Sequence, residues 1–384
     1  AALMQQIEAG KVDLDADVNR YIDFKIPPFE GKPIKVRDLF AHAVGMGDLA
    51  YDPESWGKPI TYQDFLKKHM PQRLWAPGGE ISYSNYGASL AGYIVERVSR
   101  QPFEDYVQAR IFKPLGMATT TFLEPLSGDK AAHMALGYDF VDGQTKAKPY
   151  EPYDKTLPGG SAASTAPDMA RFMLALLNGG ELNGARILKP ESVRLLESNS
   201  VANAPRLQGM AHGFIVAREA GPRIVGHGGN TQDFHSYMAI VPEVGFGFFV
   251  SETGGTGSYG GRTELSDAII SRLFPQKPTP RWWQGGAPAP LGAYRTNRRD
   301  YTRPAEPAGD LKLTAQGAHG LLVEAQGRKT YWEQIGPNLY EQATMIREGG
   351  PYDRLEFYGT PEDPKLSFGS QPHVTYHLVK PTAP

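Results

Sequence analysis

Gly78-Gly79-Glu80-Ile81-Ser82-Tyr83-Ser84-Asn85-Tyr86-Gly87 is the stretch around which the chain is organised. It reads as a glycine turn, a short extended run and the start of a helix. In extended backbone, residues i and i+2 point the same way, so Tyr83 and Asn85 project together from one place. A phenol passes a proton when a nearby cation lowers its pKa. A carboxamide both donates to and accepts from a substrate amide or ester. Tyr86, Leu90, Tyr93, Ile94 and Val98 recur at helical spacing, and the small residues Gly87, Ala88, Ala91 and Gly92 let that helix pack closely. For Tyr-x-Asn alone, a surface turn ahead of a core helix is the more economical reading. The rest of the chain has to change that weight.

The composition narrows the classes. The 384 residues are enough for two domains and a sizeable core. Forty basic against 42 acidic side chains leave a net charge of −2, which argues against a nucleic-acid partner. No apolar run approaches the roughly 18 residues of a membrane span, so no transmembrane segment is expected. The chain has no cysteine, which excludes disulfides and thiolate metal sites and is compatible with an oxidising compartment. The nine histidines are scattered without ligand spacing, and no Gly-x-Gly-x-x-Gly sits in a βαβ unit. Neither a metal nor another cofactor is expected.

Outward from the central stretch, helices are expected over residues 1–9, from Ile34 to about Ala43, over Thr61–Met70, and over residues 102–113, the last ended by Pro114-Leu115-Gly116-Met117. Residues 120–160 read as loops with short strands. Thr165 is placed to cap a helix with Pro167 in its first turn and Met169, Phe172, Met173 and Leu176 as its stripe. A short helix follows at Pro190–Ser198. From about Gly209 the period changes to two. Strands are expected at 213–217 and 223–225, and as a hairpin over His235–Val241 and Phe246–Val250, with a helix at Arg262–Leu273 packed on that sheet. Residues 276–290, with Trp282-Trp283, read as a Pro-rich linker. Residues 291–384 alternate short apolar runs with turns, which reads as a small antiparallel β domain with no catalytic constellation of its own.

A second candidate site is Gly226-His227-Gly228-Gly229-Asn230, read as lying between two strands. Its glycines let a substrate lie against the backbone, the Asn230 N–H suits an oxyanion, and His227 suits a carboxylate or carbonyl. The competing reading is a histidine in a hairpin turn. A nucleophile is harder to find. No Gly-x-Ser-x-Gly elbow occurs. The one Ser-x-x-Lys, Ser55-Trp56-Gly57-Lys58, contains a glycine and is flanked by Pro53 and Pro59, which disfavour the helix that would bring the amine to the hydroxyl.

Together these pieces resemble the serine β-lactamase and penicillin-binding-protein superfamily, in its class C β-lactamase, D-alanyl-D-alanine carboxypeptidase and esterase branch. The matching stretches are residues 1–14, Val36-Arg37-Asp38-Leu39-Phe40-Ala41-His42, Tyr83-Ser84-Asn85-Tyr86-Gly87, residues 159–170 and Gly226-His227-Gly228-Gly229-Asn230. They come in the family's order and cover about residues 1–275. The resemblance implies an α/β (α+β) hydrolase domain over 1–275, with an antiparallel sheet flanked by helices and a helical subdomain. The trailing residues 291–384 are similar to the small lipocalin-like antiparallel barrels that follow the hydrolase domain in some members.

Residue by residue, the resemblance implies that Tyr83 is the proton-transfer tyrosine and Asn85 its amide partner. His227-Gly228-Gly229 would match the Lys-Thr-Gly-type motif on the strand lining the site, with Asn230 beside it. Histidine for lysine there removes a permanent cation and weakens the case for a dedicated β-lactamase. In the family, Ser-x-x-Lys opens the helix whose continuation reads like Ala1-Ala2-Leu3-Met4. The chain therefore looks truncated just after its nucleophile, without the upstream strands of the sheet, and is expected to turn over nothing by itself. The implied partner is a small-molecule or peptide substrate: an ester, a β-lactam or a D-amino-acid peptide. The implied location is periplasmic or extracellular. A sheet short of strands exposes an edge, which predicts self-association. The alternative is a non-catalytic binding or scaffolding relative that keeps the pocket.

Overall fold

Helices begin where the sequence supplies caps. In the computed structural model, which describes residues 1–48, 60–153, 157–218, 221–255, 258–280, 289–304, 309–344 and 346–380, the Ser84 hydroxyl accepts the Gly87 N–H at 3.0 Å and starts the helix Asn85–Ser99. Thr61 caps Tyr62–Lys68, and Thr165 caps Ala166–Leu177 with proline in the first turn. Ser55 and Lys58, like Trp282 and Trp283, lie outside the described residues.

The stripe of the Asn85–Ser99 helix is buried as its spacing predicts, with Tyr86, Leu90 and Ile94 fully covered. Full burial of each such aliphatic side chain contributes roughly 1.5–3 kcal/mol. Met4 and Leu3 of the helix Ala2–Glu8 join that core, as do Val36 and Leu39 of the helix Val36–Phe40. One expected boundary is corrected. The helix begun at Phe103 does not stop at Pro114 but continues through a π-helical turn, Gln108–Phe112, to Leu115, and closes at Gly116 in the left-handed region. Pro114 falls in the first turn of the segment that restarts after the π turn, where a missing N–H costs little.

The central sheet has six strands in the order Phe246–Thr253, Phe234–Val241, Ile224–Asn230, Ile215–Arg218, Met210–Ala211, Asn199–Val201, with every neighbouring pair antiparallel. Its two faces separate by period two. Tyr237, Ala239 and Val241 cluster with Ile270 of the helix Ser258–Leu273. Met238 and Ile240 belong to the main core, with Met173 of Ala166–Leu177. Among the described residues Phe246–Thr253 ends the sheet on one side.

Residues from Gly292 onward form a closed eight-stranded antiparallel barrel, with Gly292–Thr296 paired both to Leu311–Gln316 and to Tyr376–Leu378. Tyr294, Leu313, Trp332, Leu355, Phe357 and Leu366 fill it. Closure removes the edges that an open sheet of this size would present. The barrel lies against the Tyr83 stretch: the Tyr83 N–H donates to the His373 carbonyl at 2.9 Å.

Candidate functional site

The cap at Ser84 decides where Tyr83 points. Tyr83 is the last residue before the turn into the helix, and Asn85 is the first residue of the helix itself. Both line one groove, together with His227, Gly228, Gly229 and Asn230. The first turn of Ala2–Glu8 opens onto the same groove.

The glycine-rich stretch is not a link between strands. It is the second half of the strand Ile224–Asn230, paired in register with Phe234–Val241 from Val225↔Ile240 to Asn230↔His235. The glycines continue the ladder because the facing groups are too close for side chains. A Cβ on Gly226 would stand 2.3 Å from the Met238 carbonyl oxygen, and one on Gly228 would stand 2.5 Å from Nη1 of Arg262. Arg262 lies buried beneath the strand and donates to the Ser236 carbonyl at 3.1 Å.

His227 has one chemically consistent protonation pattern when neutral. Its Nδ1 is 2.6 Å from the Gly228 carbonyl and must carry the hydrogen. Nε2 is then an acceptor, and it faces the Tyr83 hydroxyl at 3.5 Å, the long limit of a hydrogen bond. Burial holds the His227 pKa below its ordinary value, and Arg298 and Arg262 push the same way.

Tyr83 is enclosed by rings and one guanidinium. His42 stacks on it at 4.0 Å and 19°, and His373 meets it edge-on at 5.7 Å. His42 adopts φ 53°, and its Nδ1 accepts the Ser84 N–H at 3.1 Å. The Arg298 guanidinium lies over the Tyr83 ring at 4.3 Å. Arg298 Nε donates to Asp48 at 3.0 Å, and the same carboxylate accepts the Asn85 backbone N–H at 3.2 Å and its side-chain amide at 3.5 Å. Asp48 therefore ties Asn85 to Arg298.

The proton balance differs from the expectation of a depressed phenol. Burial raises the Tyr83 pKa above its ordinary value, Arg298 pulls it back, and Asp48 adds to the rise. The neighbouring histidines are held uncharged. Burial, then Arg298 and His227, bring His373 down to about 3, and burial takes His42 well below its ordinary value, with His227, His373 and Arg298 adding. The site rests as a neutral phenol among neutral imidazoles, with Arg298 as its nearest fixed cation.

Four residues at this site escaped the sequence reading: His42, Asp48, Arg298 and His373. The last two come from the C-terminal domain, which the sequence reading left without a catalytic constellation of its own, and they contact the Tyr83 ring across the junction. Arg298 stands in a turn after a strand and His373 in a loop before one, with no local pattern to mark them. Asn230 has its side-chain oxygen on Nδ1 of His235 at 3.0 Å. Among the described residues no group of three or more His, Asp or Glu is placed to hold a metal ion. No helix there is long and apolar enough to cross a membrane.

Comparison with known proteins bears on the family and the fold. The sequence model of the family described as Beta-lactamase matches residues 1–269. Protein flp of Staphylococcus aureus is 24% identical over 256 residues, 65% of this chain and 49% of flp. The chain thus spans about half the length of the curated relatives at the head of that comparison. The structure of the octameric penicillin-binding protein homologue from Pyrococcus abyssi superposes with a TM-score of 0.59 at 22% identity, over 98% of this chain and 85% of the other. The D-amino acid amidase from Ochrobactrum anthropi, complexed with D-phenylalanine, gives a TM-score of 0.58 at 25% identity, over 71% and 80%.

Proposed function

The chain belongs to the beta-lactamase family, and from that premise we propose that the whole protein is a serine hydrolase working through an acyl-enzyme. On this reading residues 1–275 are the hydrolase domain, 276–290 a linker and 291–384 an accessory β domain. The observation that carries the proposal is the facing pair Tyr83 Oη and His227 Nε2, 3.5 Å apart, in the groove onto which the Ala2–Glu8 helix opens. A serine and its lysine on the turn entering that helix would face the groove that Tyr83 lines. The serine oxygen would attack the acyl carbonyl, and its proton would pass through the lysine and Tyr83 to the leaving group. Asn85 would orient the substrate amide. Gly228, Gly229 and Asn230 would offer an open strand for the substrate backbone and an N–H for the oxyanion.

The likeness to a D-amino acid amidase supports a D-amino-acid amide or peptide as the substrate class, ahead of esters and β-lactams. It also fits His227, which supplies no permanent cation. An exported location and self-association along the Phe246–Thr253 edge belong to the same proposal. A clean monomer by light scattering would contradict the edge contact. For residues 1–384 alone the proposal is ligand binding without turnover. Among the described residues no serine hydroxyl is hydrogen-bonded to Tyr83 Oη or to His227.

The test is intact mass after exposure to a fluorophosphonate and, separately, to a penicillin. Residues 1–384 are expected to take up neither, and a chain extended upstream in its natural reading frame to take up one, on the serine of Ser-x-x-Lys. A stoichiometric adduct on residues 1–384 would overturn the placement of the nucleophile.

A further inference from the structure

Glu80 lies three residues before Tyr83, on the hydrolase side of the junction, yet its carboxylate faces the barrel. Its side chain is only 9% exposed. Oε2 accepts from Lys365 Nζ at 2.8 Å, and Oε1 accepts from His377 Nε2 and from Asn297 Nδ2, both at 2.8 Å. These donors come from two barrel strands and from the turn that carries Arg298. Asn297 continues the junction: its side-chain amide donates also to the Ile81 carbonyl at 2.9 Å, its side-chain oxygen accepts the Thr375 N–H at 3.1 Å, and its own N–H donates to the Thr375 carbonyl at 2.8 Å. The Tyr83 N–H then reaches the His373 carbonyl. The extended run that aims Tyr83 is thus bonded to the barrel at residues 80, 81 and 83.

We propose that Glu80 is a positioning residue that fastens the barrel to the Tyr83 stretch, making the barrel a working half of the site whose hold varies with pH. The inference rests on the reading of Tyr83 as the proton-transfer residue. Release of Glu80 would loosen the barrel segments that carry Arg298 and His373, because its three donors lie on those segments or on the strand Asp363–Phe368 paired with them.

The charged groups around the carboxylate are Lys365 and His377, with Asp363 at 3.5 Å from each of them. The phenols of Tyr301 and Tyr358 lie nearby. Burial works against the His377 cation, but the Glu80 carboxylate outweighs it and raises the histidine above its ordinary value. The latch is therefore complete while His377 is charged, and loses one of its two cations as pH rises through that raised pKa.

Amide hydrogen exchange tests this without needing a nucleophile, so failure here is separate from failure of the hydrolase reading, which the adduct masses decide. Glu80→Gln is expected to speed exchange at Tyr83, Asn297 and Thr375 by about tenfold, the factor that one pKa unit of lost interaction gives. Leu90 and Ile240, in the hydrolase core, are expected to stay unchanged. In the wild-type chain, after correction for intrinsic base catalysis, exchange at the same three amides should rise as pH climbs through the His377 pKa, which lies above the ordinary histidine value. His377→Gln, which leaves Lys365 on Glu80, should flatten that profile. Uniform acceleration throughout the molecule would reduce Glu80 to an ordinary stabilising contact and overturn the proposal. So would a profile that His377→Gln leaves intact, and that arm remains decisive if Glu80→Gln does not fold.

Discussion

The hydrolase part and the barrel announce themselves in opposite ways. The hydrolase part holds its candidate site residues in short patterns, Tyr83-x-Asn85 and His227-Gly228-Gly229, each presented by one cap or one strand. The barrel has no such pattern, yet its turns deliver Arg298 and His373 to the Tyr83 ring. A motif is legible when one element sets the geometry of all its residues. A residue that arrives across a junction has its position set by the docking of two bodies, and nothing in its own neighbours records that.

The strongest way to break this comparison is to loosen the barrel alone. Leu355 is fully buried in the barrel, and Leu355→Ala is expected to cost about 2–5 kcal/mol. If the barrel is part of the site, protection of the Tyr83 amide should fall with it while Leu90 stays protected. An unchanged Tyr83 amide would make the barrel an appendage.

A second test uses acid. The Glu80 pKa is held down to about 2: burial opposes this, but His377 and Lys365 together outweigh it. A carboxylate depressed in the folded state stabilises above its unfolded pKa and loses that contribution as pH falls toward the folded value. The junction should therefore weaken between about pH 4.5 and about pH 2, by an amount on the order of 3 kcal/mol. Denaturant midpoints across that range, compared with Glu80→Gln, measure it. A variant as acid-sensitive as the wild type would remove Glu80 from the account.

On the hydrolase side, Gly228→Ala should push the Arg262 guanidinium from beneath the strand, since the added Cβ would meet Nη1 at 2.5 Å. Overpacking of this kind costs about 1–3 kcal/mol, and the loss should appear at the strand Ile224–Asn230 without reaching the barrel. The smallest effect is expected from Thr165→Ala, which removes the cap of Ala166–Leu177 and should cost about 1 kcal/mol. A global melting shift from either variant that also strips the barrel amides would show that the two parts are one cooperative unit.

Much of the fold was legible because its signals are local. Thr165 and Pro167 mark a helix start that the structure repeats, and the alternation from Gly209 onward marks the sheet. Even spacing of apolar runs after Gly292 marks the barrel. From residue types alone Gly226–Asn230 read as a connection, because glycine is read as a breaker, while the resemblance put its motif on a strand, where the structure has it. Here its use is steric, making room for the Met238 carbonyl and Arg262 on the partner strand and the helix behind. Pro114 was read as a stop for a similar reason, since a π turn that restarts the helix has no sequence signature. At the site, the pairing of Tyr83 with His227 joins residues 144 positions apart. It became legible only through the family's order of motifs.

A barrel guanidinium draws down the proton affinity of the Tyr83 phenol, against the burial that raises it. The most direct measurement is a titration of the Tyr83 ring by its 13Cζ chemical shift, assigned with Tyr83→Phe, in the wild-type chain and in Arg298→Gln. Because Arg298 pulls the phenol pKa down against burial, its removal should move the Tyr83 midpoint to higher pH. The other tyrosines should keep theirs. An unchanged Tyr83 midpoint in a folded Arg298→Gln chain would contradict the claim and leave the barrel outside the chemistry.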